Sequence, residues 1–262
     1  MSALPIGRSL ARSAIALALM AAGYEVLARS GAFPPALLPT LPAVAHALWS
    51  GMADGTLPTH AASTLYRVLV GMGLAVVLAV PLGILMGRLR PVEGFVLPLA
   101  SALMPIPSLA WVPVFILWFG LGNATAIGIV LYAASFPLLL NVWSGVRAVN
   151  PLWVRAAGSM GAGGAALFWK VILPGAFPFI IAGLRQAFVR AWIAVVGAEL
   201  LAASDWGLGW VIFDAKEFLQ ADRMLASLAV IGLIGLAFER LVFGTLERAT
   251  VQRWGMVRQG KA

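Results

Sequence analysis

Two charged residues in one apolar segment of this chain could interact with a solute. Arg190 lies near the middle of the segment at residues 177–201, and Glu199 lies nine residues further on. An ionised side chain at the centre of a membrane helix costs about 2.5–3.5 kcal/mol on insertion scales, so we expect Arg190 to face a cavity or a partner. Two interpretations stay open: a cationic lining for an anionic solute, or an ion pair or carbonyl contacts between helices. Glu199 is about half a turn out of phase with Arg190 on one helix and cannot pair with it there, so both are candidate pathway residues.

The residue combinations that catalysis and metal binding require are missing from the sequence. It contains no cysteine and no Ser/His/Asp, Cys/His or paired-carboxylate arrangement. Its two histidines, His46 and His60, stand alone, without the spacing of metal ligands. The glycine clusters lack the lysine of a phosphate-binding loop. We therefore expect no catalytic residue, no metal, no cofactor and no ATP hydrolysis in this chain.

One loop between two apolar segments has a definite spacing of small residues. Glycine permits a tight turn and proline predicts the end of a helix. The apolar residues Leu167 to Trp169 and Ile172 predict an amphipathic helix that ends at the proline, buries these side chains against the membrane domain and leaves residues 155–164 facing outward. The residues that define this loop are, in chain order, Arg155, Ala156, Ala157, Gly161, Val171, Leu173 and Pro174.

The elements that position these residues are those of a membrane protein. Hydrophobic residues make up 61% of the chain and charged residues 11%, whereas soluble domains carry about 25% charged residues. Several uncharged runs reach the roughly 20 residues that span a bilayer. We expect an all-α, polytopic fold with about six transmembrane helices, at residues 9–27, 62–87, 95–119, 124–146, 177–201 and 224–246.

The distribution of lysine and arginine predicts how these helices are oriented. If six spans alternate, most basic residues fall on one side, which the positive-inside rule makes cytoplasmic. Both termini and the small-residue loop then face the cytoplasm, and the net charge of +8 reflects this bias rather than nucleic-acid binding. The first span could instead be a cleaved secretory signal. Residues 37–57 carry Val44, Leu48 and Met52 at helical spacing and predict a short interfacial helix.

Several motifs resemble the inner-membrane permeases of ABC importers. The loop resembles their cytoplasmic signature, Glu-Ala-Ala, three residues, Gly, nine residues, Ile, one residue, Leu-Pro: with Gly161 aligned, Val171 and Leu173-Pro174 fall in register without a gap. Two further motifs resemble the opening and the third span of the permease core, namely Ser63-Thr64-Leu65-Tyr66-Arg67-Val68-Leu69-Val70-Gly71 and Pro105-Ile106-Pro107 with Trp111-Val112-Pro113 and Trp118-Phe119-Gly120. Four motifs after the loop are similar to the sulfonate, taurine and nitrate group: Gly183-Leu184-Arg185, Arg190-Ala191-Trp192, Ala198-Glu199-Leu200 and Gly207-Leu208-Gly209.

The resemblance implies the type I ABC-importer permease architecture. Residues 1–56 would hold a transmembrane helix and an interfacial segment, residues 57–246 a five-helix core with a cytoplasmic coupling loop at about 147–176, and residues 247–262 a basic cytoplasmic tail. Two such permeases, expected as a homodimer in the bacterial inner membrane, would form the pathway. Cytoplasmic ABC ATPases would drive it through the loop, and a periplasmic solute-binding protein would deliver a small anion such as an aliphatic sulfonate, taurine or nitrate.

Two alternatives come from other classes of protein. A secondary transporter or channel without ATPase coupling predicts relays of ionisable groups within the membrane, and the chain offers few beyond Arg190 and Glu199. A structural membrane protein without a pathway leaves the small-residue loop unexplained.

The chain departs from the family at the first position of the signature, where Arg155 replaces the usual Glu. A carboxylate there would favour a helix N-terminus and could pair with a basic residue of the ATPase. Either the partner carries a compensating acid, or the position contributes little energy, as exposed ion pairs usually do. We favour the second interpretation, in which Gly161 and Leu173-Pro174 matter more for coupling.

Overall fold

The structure is a computed structural model that describes residues 6–202 and 205–247, with the side chains of residues 6–11 and 13 outside that description. The described residues form helices and no strand. A 3-10 turn at Ser108–Trp111 precedes α5, and π-helical stretches at Phe168–Ile172 and Phe238–Phe243 join α8 to α9 and α11 to α12. The helices are α1 Ile6–Arg29, α2 Leu41–Ala53, α3 Thr56–Arg88, α4 Arg90–Leu103, α5 Val112–Phe119, α6 Asn123–Ala148, α7 Pro151–Ser159, α8 Gly164–Leu167, α9 Leu173–Leu201, α10 Leu208–Glu217, α11 Ala221–Ala237 and α12 Gly244–Glu247.

The predicted all-α membrane fold is confirmed. Among the described residues, four helical stretches are long and apolar enough to span a bilayer: Thr56–Arg88, Asn123–Ala148, Gly164–Leu201 and Ala221–Glu247. The pair α4 and α5 makes a fifth span if it is counted as one. Helix α1 coincides with the first predicted span, and its role in the membrane stays a prediction. The predicted basic tail lies almost wholly in residues 248–262, outside the described residues.

Small residues bring the three central helices close together. Gly71, Ala75, Ala79 and Gly83 follow one another at intervals of four on α3, and all four are buried. A Cβ atom on Gly71 would lie 2.5 Å from Val130 Cγ1 of α6. Stripes of small residues are the usual interface of membrane helices, because they allow close backbone approach.

Helix α6 is the centre of the bundle because it packs against α3 on one face and against α9, again at small residues, on another face. A Cβ atom on Gly145 would lie 2.5 Å from Phe179 Cβ, and one on Gly183 would lie 2.8 Å from Asn141 Cβ. Ala187 and Ala191 of α9 are fully buried. The three helices α3, α6 and α9 therefore form one tightly packed layer that positions the polar side chains of the candidate site.

The third predicted span, at residues 95–119, is present as two helices that meet at a sharp bend, not as one continuous helix. Helix α4 ends at Leu103, the chain turns through Pro105 and Pro107, and α5 leaves at an angle of 88°. Proline has no N–H group to donate and disfavours a helical residue before it, so the prolines break the helix at this point. The freed carbonyl of Leu103 accepts a hydrogen bond from the Tyr132 hydroxyl at 2.7 Å.

The expectation that a helix ends at Pro174 was wrong. Pro174 lies in the first turn of α9, where a proline is tolerated, and one helical stretch runs from Gly164 to Leu201. The π-helical stretch just before it, in which the Leu173 N–H bonds to the Phe168 carbonyl, lets the helix continue. The part of the loop from Gly164 onward and the long apolar helix therefore form one continuous helical stretch.

The short helix predicted within residues 37–57 is present as α2, which packs against α11 and α3, and its position at the membrane interface stays a prediction. Ala47 is buried and Leu48 packs against the cluster of Leu57, Leu208 and Val230, whereas Met52 of the predicted apolar set is exposed. Sequence analysis did not predict α10, a short helix that packs between α9 and α11.

Candidate functional site

A large cleft runs along α9. It has a volume of about 1280 Å³ and is lined by α6, α9, α11 and the break between α4 and α5. Most of the lining is apolar, contributed by residues such as Ile106, Phe136, Val189, Ile193 and Leu236. The charged and amide side chains in its wall are Asn141, Arg185, Gln186, Arg190 and Glu239, and Ser108 and Tyr132 add hydroxyl groups.

Arg190 lines this cleft and is exposed to it. It makes no ion pair or hydrogen bond with any other described residue, so the alternative of an ion pair between helices is not what the structure shows. One turn earlier on α9, the Gln186 Oε1 accepts a hydrogen bond from the Asn141 amide at 3.2 Å. The Gln186 NH2 group then remains as a donor beside the guanidinium.

Arg185 lines the same cleft but already has counter-ions. Its Nη2 pairs with Glu239, which lies in the π-helical stretch after α11, and its Nη1 lies 3.6 Å from Glu247 of α12. The cleft therefore contains one arginine with carboxylate partners and one without.

Glu199 does not line the cleft; it is buried in a polar cluster at the far end of α9. Its Oε1 accepts a hydrogen bond from the Arg67 Nη1 at 2.7 Å, and each side chain is only 1% exposed. Arg67 also donates from Nε to Asn123 at 2.8 Å and from Nη1 to the Trp206 carbonyl at 2.7 Å. One guanidinium thus ties α3 to α6, α9 and the segment after α9.

The Gly207-Leu208-Gly209 segment folds over the buried carboxylate. The Gly209 N–H donates to the Glu199 Oε2 at 2.9 Å, and the Leu208 N–H donates to the Thr64 hydroxyl at 2.9 Å. The Gly207 N–H donates to the His60 Nδ1 at 3.0 Å. A Cβ atom on Gly207, whose φ is +125°, would lie 2.4 Å from the Glu199 Cδ. The backbone of this segment lies so close to the Glu199 carboxylate that a side chain would not fit, which explains the glycines at positions 207 and 209.

Arg67 is the important residue that sequence analysis did not select. It belongs to the motif Ser63 to Gly71, but its partner Glu199 lies on a different helix, so spacing along one helix does not indicate the pair. The sequence does contain a usable indication: Arg67 and Glu199 are opposite charges close to the same predicted end of two apolar spans.

The small-residue loop forms α7, α8 and the turn between them. Gly161 has a φ of +82°, its N–H donates to the Gly158 carbonyl, and the Ala162 N–H donates to the Ala157 carbonyl. This pattern is a Schellman motif, the usual way to end a helix with a left-handed glycine. The predicted glycine turn at Gly161 is therefore present in the structure.

The loop packs on the bundle through some of its apolar residues and exposes others. Ile172 lies in a cluster with Val146 and Val149 at the end of α6, and Leu167, Phe168 and Val171 pack against that cluster. Trp169 faces outward, contrary to expectation, and Arg155, Ala156 and Gly161 are also exposed. The exposed apolar face of the loop, defined by its largest side chains, consists of Leu152, Trp153, Met160 and Trp169.

Comparison with known proteins agrees with this architecture. Residues 79–249 match the family described as binding-protein-dependent transport system inner membrane component. A putative ABC transporter permease of Methanocaldococcus jannaschii is 40% identical over 79% of each chain. The taurine transport system permease protein TauC of Escherichia coli is 35% identical over 90% of this chain and 87% of its own.

Two further comparisons extend the picture. The bicarbonate transport system permease protein CmpB of Synechococcus elongatus is 31% identical over 73% of this chain and 67% of its own. A solved structure of an amino acid ABC transporter with histidines superposes with a TM-score of 0.62 at 16% identity, over 77% of this chain and 97% of that one. At that identity, the match supports the fold alone.

A bundle of long apolar helices with a cleft in its wall defines a polytopic membrane transport protein. Together with the family match over residues 79–249 and the relatives at 40% and 35% identity, this shows that the chain belongs to the binding-protein-dependent transport system inner membrane components, the permease subunits of ABC importers.

Proposed function

We propose that this permease moves a small anion, of the sulfonate or bicarbonate kind, through the cleft along α9. The observation that carries the proposal is Arg190, a guanidinium exposed to the cleft with no carboxylate partner among the described residues. Within an apolar lining, a single unpaired arginine favours an anion over a cation or a neutral solute. The neighbouring Gln186, whose Oε1 accepts from the Asn141 amide, can donate a hydrogen bond from its NH2 group to an oxyanion.

The relatives support an anionic solute. The Escherichia coli relatives are named for taurine and, at 32% identity over 81% of this chain, for aliphatic sulfonates. Another is named for bicarbonate. Sulfonates and bicarbonate are oxyanions, and the sulfonate of taurine is anionic at neutral pH. The mostly apolar wall of the cleft suits the carbon chain of an aliphatic sulfonate better than bare bicarbonate.

We further propose the partners and orientation that the family implies. Two copies of the permease face each other across the pathway, a periplasmic binding protein delivers the solute, and cytoplasmic ABC ATPases bind the small-residue loop and hydrolyse ATP. Both termini lie in the cytoplasm, as the positive-inside rule indicates. The family assignment disfavours the alternative of a secondary transporter or channel without ATPase coupling.

The experiment is uptake by the complete importer. The permease, its ATPase and its binding protein are reconstituted in liposomes, and ATP-dependent uptake of taurine, ethanesulfonate and bicarbonate is measured for the wild type and for Arg190→Gln. We expect uptake of the transported anion to fall at least about tenfold, a change equivalent to about 1.4 kcal/mol. Arg190→Lys should retain part of it.

Arg223→Gln provides the matched control, because this exposed arginine lies at the start of α11, outside the cleft. It removes the same charge and should leave uptake unchanged. Unaltered anion uptake by a fully assembled Arg190→Gln importer would overturn the proposal.

A further inference from the structure

The contrast between the two arginines of the cleft carries an inference that rests on the proposed function and goes further. Arg190 lines the cleft without a carboxylate partner among the described residues, whereas Arg185 is held by Glu239 and lies 3.6 Å from Glu247. Both arginines are on α9, five residues apart, which corresponds to about 7.5 Å along the helix axis. Since both side chains line the same cleft, an anion bound at Arg190 has a second guanidinium, already paired, further along the cleft.

The order of the two arginines along the pathway follows from the direction of α9. The helix begins at Leu173 beside the small-residue loop and ends near Glu199 in the buried polar cluster. Arg185 is the nearer of the two to the loop. A solute that travels toward the loop therefore meets Arg190 first and Arg185 second.

The ion pair at Arg185 is of a kind that can exchange. The side chains of Arg185 and Glu239 are 47% and 34% exposed, respectively. Partly exposed pairs are worth little in stability, because water can replace each partner. The pair joins two different elements, since Glu239 lies in the π-helical stretch after α11 and Arg185 lies on α9. Such stretches frequently occur at functional sites.

We propose that Glu239, assisted by Glu247, is an internal counter-ion that occupies Arg185 until the transported anion displaces it, so that Arg185 is a second anion station toward the loop. The formal charges of Arg185, Glu239 and Glu247 sum to −1, and Arg190 adds +1. The unpaired charge of Arg190 attracts an anion, and the two carboxylates beside Arg185 keep the anion from binding too tightly at that second position. To move on toward the loop, the solute must replace the Glu239 carboxylate at the Arg185 guanidinium.

The test uses the absence of cysteine from the chain. Val189 lines the cleft and is 47% exposed, so Val189→Cys places a single thiol between the two arginines. Its reaction rate is measured with two reagents, 2-sulfonatoethyl methanethiosulfonate and 2-(trimethylammonio)ethyl methanethiosulfonate, in the assembled importer. The ratio of the two rates reports the local electrostatic potential, and protection by ethanesulfonate reports occupancy by an anion.

Removing the internal counter-ion should make the cleft hold an anion more tightly. In the Val189→Cys background, Glu239→Gln is expected to raise the rate ratio about three- to tenfold in favour of the sulfonate reagent. It should also lower the half-protecting concentration of ethanesulfonate by a similar factor. Arg185→Gln should shift both quantities in the opposite direction. Glu247→Gln, a second variant at the more distant carboxylate, should give a smaller shift in the same direction as Glu239→Gln.

Glu217→Gln is the matched control, because it removes the same charge from an exposed position on α10, away from the cleft. If neither Glu239→Gln nor Glu247→Gln shifts the rate ratio while Arg190→Gln lowers it, the counter-ion proposal is overturned and the proposed function stands. No protection by ethanesulfonate in the wild type and no response to Arg190→Gln would overturn both.

Discussion

Arg67 donates hydrogen bonds to three separate parts of the chain while it is almost fully buried. Burying two charges costs several kcal/mol per ion, which the mutual attraction and the extra hydrogen bonds of a well-formed pair roughly offset. Here the Glu199 carboxylate accepts three hydrogen bonds, from Arg67, Thr64 and the Gly209 backbone. The cluster therefore specifies how α3, α9 and the start of α10 fit together more than it adds net stability.

Removing one member of this pair should be far more damaging than removing a member of an exposed pair. We expect Arg67→Met to lower the free energy of unfolding in detergent by about 3–5 kcal/mol, because it leaves Glu199 buried without its counter-ion. Arg147→Met, which breaks the half-exposed pair with Glu93, should cost less than about 1 kcal/mol. Denaturant unfolding followed by tryptophan fluorescence measures both. Equal losses in the two variants would contradict this assignment, and the double variant Arg67→Met with Glu199→Met should recover much of the loss.

The contact between α3 and α6 depends on one face of α3 carrying no large side chain. Gly71, Ala75, Ala79 and Gly83 form this face, and Val130 and Val142 of α6 lie directly against the two glycines. In a bilayer, the hydrophobic effect does not drive helices together, so close packing of this kind is the main attraction. We therefore expect that adding a single methyl group to this face weakens the contact between the two helices.

Two glycines on the same helix test this point. Gly71→Ala would place a Cβ atom 2.5 Å from the Val130 Cγ1, whereas Gly73→Ala meets nothing within 4 Å. Both changes raise helix propensity equally, by roughly 1 kcal/mol, so any difference comes from packing. We expect Gly71→Ala to lower the thermal midpoint of the purified permease by several degrees, and Gly73→Ala to keep or raise it. Similar midpoints for the two variants would show that the helices can separate at no cost.

The sequence predicted the long helices well and the breaks in them poorly. Apolar runs located α3, α6 and α9 to within a few residues, because helices of this length in a membrane need little beyond hydropathy. The break at Pro105 and Pro107, the continuation through Pro174 and the buried Arg67–Glu199 pair were not predicted. Each depends on contacts between distant segments, such as the Tyr132 hydroxyl on a freed carbonyl, which local periodicity does not contain.

At the scale of the whole molecule, one helical stretch connects all three features of interest. The stretch Gly164–Leu201 begins in the small-residue loop, passes Arg185 and Arg190 in the cleft and ends at the buried Glu199 cluster. If an ATPase binds the loop as we propose, a displacement of the loop would move the wall of the cleft through this one stretch, as in rigid-body switching. The far end of the stretch is tied to α3 and α6 through Arg67.

Coupling of this kind requires the loop to keep its shape, which depends on the left-handed turn at Gly161. We expect Gly161→Val to abolish co-purification of the ATPase and ATP-dependent uptake, because a β-branched residue disfavours a φ of +82°. The bundle itself should stay intact, since a Cβ atom at this position meets nothing within 4 Å. Gly161→Asn is the matched control: asparagine adopts the left-handed conformation at helix ends and should retain the ATPase. Arg155→Glu should also retain it, because exposed ion pairs contribute little. An ATPase that stays bound to a well-folded Gly161→Val permease would show that the conformation of this turn is not what the ATPase recognises.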